Sequence, residues 1–146
     1  MIVLCDLDHT ICDAAWRDGM IGVCSWDEYH AEAAKDKIIP ATRAIVNALV
    51  QANNFVYGIT SRPGKWREMT AKWMLDNGVM LHDILMREND DFRQAPAIKL
   101  DLARKYCGKP LAEHVDLLIE DRDDVVSAFM AEGVTCVHVR GGSKRL

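Results

Sequence analysis

Ile2-Val3-Leu4-Cys5-Asp6-Leu7-Asp8-His9-Thr10 is the stretch whose reading decides the fold. Its unbroken apolar start reads as a central strand covered on both faces. The run closes on two aspartates one residue apart, D-x-D-x-T, where such a strand ends. Open parallel sheets bind ligands beyond the carboxyl ends of their strands. The pattern therefore puts two carboxylates, with no Lys or Arg beside them in sequence, where an α/β protein does its chemistry. Such a pair repels itself and is costly to keep ionised. A divalent cation resolves the cost, and Mg²⁺ prefers hard oxygen ligands shared between carboxylates and substrate phosphate. Taken alone, the pair also fits two solvated acids in a loop, so the remaining chain has to decide.

The rest of the chain alternates strand and helix. Ser25 is placed to cap a short helix over Trp26–Ala33, and a second helix follows Pro40, with Ile45, Ala48, Leu49 and Ala52 at helical spacing. Phe55–Thr60 is the second strand. Trp66, Met69, Trp73 and Met74 mark a helix ended by Asn77-Gly78. Ile84–Met86 is a short third strand, and the helix after Pro96 carries Ile98, Leu102 and Tyr106. Val115–Ile119 is the fourth strand, a helix with Val126, Phe129 and Met130 follows, and Val134–Val139 is the last strand. Strands separated by helices imply right-handed crossovers and a parallel sheet. At 146 residues, 49% of them hydrophobic, the chain is read as one domain, 1–146, with enough core to fold.

Composition narrows the function. No apolar run reaches the length of a membrane span, and the N-terminus lacks the basic segment of a signal peptide. The cysteines Cys5, Cys12, Cys24, Cys107 and Cys136 are odd in number and widely spaced, as expected of free thiols in a reducing cytoplasm. His9 and Cys12 lack the second pair that a zinc site needs. The net charge of −4 disfavours a grip on long nucleic acid. Basic residues are local, at Arg62-Lys65-Arg67 and in the tail Arg140-Lys144-Arg145, which suits small or terminal phosphates.

Polar chemistry recurs at two other strand ends. The second strand ends Ile59-Thr60-Ser61-Arg62 and the fourth ends Ile119-Glu120-Asp121-Arg122. Lys99 is read in the first turn of the helix before that fourth strand, where it opposes the helix dipole and so asks for an anionic partner.

With these residues in place, the chain resembles the haloacid-dehalogenase (HAD) superfamily of phosphotransferases. Asp6-Leu7-Asp8-His9-Thr10 matches the first motif, Thr60 the second, Lys99 the third and Glu120-Asp121 the fourth. More closely, it is similar to the 3′-phosphatase domain of bacteriophage polynucleotide kinase/phosphatases, on Thr60-Ser61-Arg62, Met69–Trp73, Met86-Arg87-Glu88, Ile119–Arg122 with Val125-Val126, and the stretch from Trp26 to Pro40. The resemblance implies an α/β, Rossmann-like three-layer sandwich. Its five-stranded parallel sheet has the order 5-4-1-2-3 in that family's numbering, and a minimal cap insert covers about residues 11–39.

The resemblance also implies a Mg²⁺-dependent phosphomonoesterase working through an aspartyl-phosphate and removing 3′-phosphates from DNA or RNA ends. Asp6 is then the nucleophile, and Asp8 the general acid and base, which needs a raised pKa. Thr60 and Lys99 hold the phosphoryl oxygens, Asp6, Asp8 and Asp121 bind the metal, and Arg17, Ser61 and Arg62 bind substrate. The segment Asp116–Asp121 is also similar to deoxyribonucleotidases, so a nucleotidase or other small-molecule phosphatase is the alternative, and a non-catalytic end-binding module is a third reading. His9 stands where a Gly is usual, Glu120 replaces an Asp and is expected to shift a metal-bound water, and Ala95-Pro96 replaces acids. No G-x-x-x-x-G-K-[ST] loop occurs, so no ATP is expected. Trp26 and Tyr29 are read as the insert's own core in preference to a stacking platform for a terminal base.

Overall fold

A computed structural model of the chain describes residues 1–141. Lys144 and Arg145 of the basic tail lie outside the described residues. In chain order the elements are β1 (Ile2–Asp6), β2 (Cys12–Asp13), α1 (Trp26–Ala31), β3 (Lys37–Ile38), α2 (Pro40–Gln51), β4 (Phe55–Pro63), α3 (Arg67–Asp76), β5 (Asp83–Arg87), α4 (Ala95–Cys107), β6 (Leu117–Glu120), α5 (Asp123–Ala131) and β7 (Cys136–His138), with short 3₁₀ turns between several of them.

β1 is the centre of a five-stranded sheet of order β5-β4-β1-β6-β7. Every pairing in it is parallel. Counted along the sheet, this is the order that the resemblance implies. The apolar run of β1 is buried on both faces, as its sequence requires. Val3 and Cys5 point to one side, where Val46 of α2 and Trp73 and Met74 of α3 pack. Leu4 points to the other, against Ile98 and Leu102 of α4 and Val125 and Phe129 of α5. Helices on both faces give three layers. Order reverses at β1, with β4 on one side and β6 on the other, so the carboxyl ends of these three strands open onto the crevice where α/β sheets bind ligands.

The segment after β1 leaves the sheet and returns through a narrow stalk. β2 and β3 pair antiparallel, Cys12 opposite Ile38 and Asp13 opposite Lys37, and the Ile39 amide donates to the Ile11 carbonyl at 2.8 Å. The sequence reading has no strands here, because a two-residue ladder carries no periodicity. Between the stalk strands lie a 3₁₀ stretch, Ala15–Met20, and α1. Ser25 caps α1 as expected. Its hydroxyl accepts from the Glu28 amide, and the Glu28 carboxylate accepts from the Ser25 amide, a reciprocal box.

Candidate active site

Two clusters of charge meet at the carboxyl end of β1, one on each aspartate. Asp6, the last residue of β1, is buried. Its Oδ1 accepts from Lys99 Nζ at 2.6 Å and its Oδ2 from Thr10 Oγ1 at 2.8 Å. The same ammonium donates to Glu120 Oε2 at 2.6 Å, and Thr10 Oγ1 lies 3.4 Å from Asp121 Oδ1. Lys99 is the fifth residue of α4, in the second turn where the sequence reading has it in the first, because the helix begins at Ala95. Side chains lean toward a helix's N-terminus, which suits a lysine in this turn to the strand ends. The anionic partners that its position asks for are Asp6 and Glu120.

The carboxylates of Asp6, Glu120 and Asp121 come within 4.8 Å of one another. Lys99 pairs with two of these three acids, Asp6 and Glu120. Burial, with the nearby Glu120 charge added, pushes the Asp6 carboxyl well above the usual carboxylate range, against the pull of Lys99. Burial works against charge on Lys99 too, but Asp6 and Glu120 together raise its pKa and hold it protonated. Hard oxygen donors with surplus negative charge fit a divalent cation such as Mg²⁺. Glu120 does more than replace a shorter acid. It is fully buried, and while Oε2 holds Lys99, Oε1 accepts from the amides of Asp121 and Arg122 at 2.9 and 3.1 Å. Its extra methylene lets one side chain reach both the lysine and the backbone of the turn.

The second cluster surrounds Asp8. Its Oδ1 accepts from Arg62 Nη2 at 2.6 Å and from Arg17 Nη2 at 2.7 Å. Arg17 is fully buried and is gripped at its other edge by Asp36, through Nε at 2.8 Å and Nη2 at 2.7 Å. Arg62 Nη2 lies 3.7 Å from the same Asp36. Buried guanidinium groups are tolerable only when paired in this way. The carboxylate that joins Asp6 and Asp121 is that of Glu120, and Asp8 is grouped with Cys12 and Asp36. One expectation changes here, the direction of the Asp8 shift. Burial does push it up, but Arg62 foremost and then Arg17 outweigh this and hold the carboxyl well below its usual range. The sequence reading weighed only the neighbouring negative charge, and folding brings two arginines closer.

Thr60 and Ser61 stand at the end of β4. Thr60 Oγ1 accepts from the Arg62 amide at 3.1 Å. Ser61 Oγ is buried and, among the described residues, has no hydrogen-bond partner; Arg17 Nη1 is in the same condition. The structure thus brings Asp6, Lys99 and Asp121 into one cluster and Asp8, Arg17 and Arg62 into the adjoining one, with Thr60 and Ser61 on the neighbouring strand end.

Sequence reasoning passed over Asp36, which besides holding Arg17 accepts from Trp16 Nε1 at 2.9 Å and, through its carbonyl, from Trp73 Nε1 at 2.9 Å. The one available signal was an acid inside an insert that also carries an arginine. Cys5 and Cys12 are buried, and burial raises both thiols, which keeps them protonated and inert.

A sequence profile for the polynucleotide kinase PNKP phosphatase domain matches residues 1–143. No curated protein matches the chain. Among solved structures, one from a Pnkp1/Rnl/Hen1 complex superposes with a TM-score of 0.80 at 23% identity, over 97% of this chain and 46% of that one. The chain therefore spans under half the length of that relative. The HAD hydrolase YfnB from Bacillus subtilis, solved bound to magnesium, gives 0.65 at 16% identity over 94% and 86% of the two chains. A class C acid phosphatase from Bacillus anthracis gives 0.66 at 16% identity over 97% and 66%. At these identities the likeness speaks for the fold.

Proposed function

Because the chain belongs to the phosphatase-domain family of the polynucleotide kinase/phosphatases, and so is a HAD-type phosphatase, we propose that it removes 3′-phosphates from nucleic-acid ends in a Mg²⁺-dependent reaction through an aspartyl-phosphate. The observation that carries the reading is the surplus of buried carboxylate, Asp6, Glu120 and Asp121, around one lysine at the strand ends.

Asp6 Oδ attacks phosphorus and the bond to the sugar oxygen breaks. A sugar alkoxide is a poor leaving group, so a proton delivered to it has value. Asp8 is the residue for that transfer, and afterwards for taking a proton from the water that hydrolyses the intermediate. As an ionised carboxylate it is ready for the second task. For the first, an incoming phosphate competes for the Arg62 and Arg17 donors, and drawing them away favours the protonated acid. Thr60, Lys99 and the unpartnered Ser61 Oγ are placed to hold phosphoryl oxygens as charge spreads over them. Asp6 and Asp121, with Glu120 beside them, would hold the cation, which when bound supplies charge neutralisation and orients the phosphate. The stalked segment of residues 11–39 serves as a minimal cap, too small to seal the site, which favours polymer ends over free nucleotides.

The test is a substrate panel: a 3′-phosphorylated oligonucleotide and the matching nucleoside monophosphate, each with Mg²⁺ or chelator, using wild type and Asp6→Asn. We expect kcat/KM to favour the oligonucleotide by roughly ten- to a hundredfold, since a second phosphate can use an arginine that the first does not occupy. Chelation and Asp6→Asn should each abolish turnover. Mononucleotides turned over equally well would make the protein a nucleotidase, and full activity in Asp6→Asn would remove the covalent mechanism.

A further inference from the structure

The short helix α1 turns three rings onto one side, because Trp26, Tyr29 and His30 are spaced i, i+3, i+4. The inner two are buried. Tyr29 lies under the Arg17 guanidinium, 4.4 Å from ring centre to Cζ. His30 is only 7% exposed, yet its Nδ1 has no partner among the described residues. Trp26 is different: it is 58% exposed. It sits nearly parallel to His30, centroids 6.0 Å apart and planes 28° from parallel, and edge-on to Tyr29 at 5.4 Å. The sequence reading of both aromatics as insert core therefore holds for Tyr29 but not for Trp26, which is the open leaf of the stack.

This stack adjoins the active site. His30 lies within electrostatic reach of Asp8, Arg62, Arg17 and Arg87. The helix is also tied across the crevice, since Asp27 pairs with Lys65 just beyond β4. Burial, against the pull of Asp8, lowers the His30 pKa to about 4. At neutral pH it is an uncharged ring whose Nδ1 offers one hydrogen bond, as donor or acceptor by tautomer. An exposed aromatic face on a buried, unpartnered polar ring is the combination that a nucleoside fills. A base stacks on the face, and stacking accepts any base because every base has a π-face. The sugar, through its ring oxygen or in RNA its 2′-hydroxyl, meets the nitrogen.

We propose that Trp26 and His30 form the seat for the terminal nucleoside: Trp26 stacks on the base of the nucleotide that carries the scissile phosphate, and His30 Nδ1 hydrogen-bonds to its sugar. The inference rests on the nucleic-acid reading above and adds to it the residues that recognise the leaving group.

The experiment compares two oligonucleotide 3′-phosphates, one ending in an ordinary nucleoside and one in a sugar that lacks a base, with acetyl phosphate, a small acyl phosphate that has neither sugar nor base. Trp26→Ala should lower kcat/KM for the base-bearing end by about tenfold more than for the base-free end, mainly through KM, and Trp26→Phe should recover most of the loss. His30→Leu should lower both oligonucleotide ends more than acetyl phosphate, and His30→Asn, whose amide can occupy the place of Nδ1, should restore them. Thermal melting of each variant checks that the fold is retained. Equal losses on the two ends in Trp26→Ala, or no loss, overturn the stacking role. A His30→Leu loss as large on acetyl phosphate as on the oligonucleotides reduces His30 to a structural part and overturns its role. A wild type that cleaves acetyl phosphate but neither oligonucleotide overturns the nucleic-acid reading itself, and the seat with it.

Discussion

Asp6 and Asp8 stand two residues apart on one strand end, yet folding gives them opposite surroundings. Around Asp6 the fold gathers Glu120 and Asp121 about Lys99, with the Arg122 charge also acting on the last two acids, and the three acids and the lysine come from strand ends or from a helix packed on the sheet. Around Asp8 it sets two arginines against two acids, Asp8 and Asp36, and half of that set comes from the insert. The first cluster gathers three carboxylates, and on the function proposed above a cation would complete it. The second is balanced in charge, two arginines against two acids, with Arg17 Nη1 left over. One carboxyl is pushed up and the other down, a divergence that fits the different roles proposed for two chemically identical side chains. On the proposed function, the first cluster would serve binding at the expense of stability, and the second would serve stability and position the proposed acid-base group.

The largest effect should come from opening the balanced cluster. Asp36→Asn takes from the buried Arg17 a balancing charge and one of its two Asp36 acceptors, and Arg62→Met leaves Asp8 and Asp36 short of a cation. Removing one partner of a buried ion pair costs about 3–5 kcal/mol, so each variant should lose that much in a urea titration followed by circular dichroism. A loss below about 1 kcal/mol in Asp36→Asn would mean that the Arg17 grip is not the strong contact its geometry describes, and the contrast between the clusters would fail.

The surplus cluster should behave the other way. In chelator, Asp121→Asn removes one of three crowded charges, so its melting temperature should equal or exceed that of wild type. In millimolar Mg²⁺ the wild type should gain about 1–3 kcal/mol by linkage, and the variant should gain little. Titrating Mg²⁺ against the melting temperature of both proteins checks this. A wild type that does not respond to the cation, or a variant destabilised in chelator, would show that the three acids are already balanced.

This asymmetry also explains what could be read in advance. Asp6, Thr60, Lys99 and Asp121 each sit beside a hydrophobic run or on a helix, so local pattern locates them, and the sheet brings them together once β1 is recognised as central. His9 too is legible in hindsight: its φ of +66° is the left-handed region where glycine is at ease, which is why a Gly is usual there. Asp36 and the pairing of Asp8 were not legible. Their partners lie 19 and 54 residues away, on a 3₁₀ turn and the far end of β4, and no periodicity specifies such contacts. The sign of the Asp8 shift was missed for the same reason, since it depends on which distant charge arrives closest. Trp26 divides the same way: its helix and cap follow from Ser25 and Glu28, but which ring stays open is decided by how the insert lies on the site.

The smallest effect sharpens the comparison at its edge, through His30, which packs beside the balanced cluster without carrying one of its charges. Its pKa falls from an ordinary 6.5 to about 4 in the fold, chiefly by burial. Above pH 6.5 neither the folded nor the unfolded chain protonates it, and the full stability is present. As pH falls from 6.5 toward 4, the unfolded chain takes up a proton that the fold refuses, so stability declines through this window and His30 adds no further loss below it. The full shift bounds the effect at about 3 kcal/mol, and partial solvation of the ring reduces it to about 1–2 kcal/mol. His30→Asn removes this titration and leaves the carboxylates that titrate near the lower end of the window. The difference between wild type and variant in urea titrations at pH 7, 6, 5 and 4.5 should therefore grow as pH falls, the variant losing less. A difference that stays constant with pH would mean that the ring protonates as readily folded as unfolded. His30 would then be open to solvent, and the cluster around Asp8 would lose a neutral neighbour.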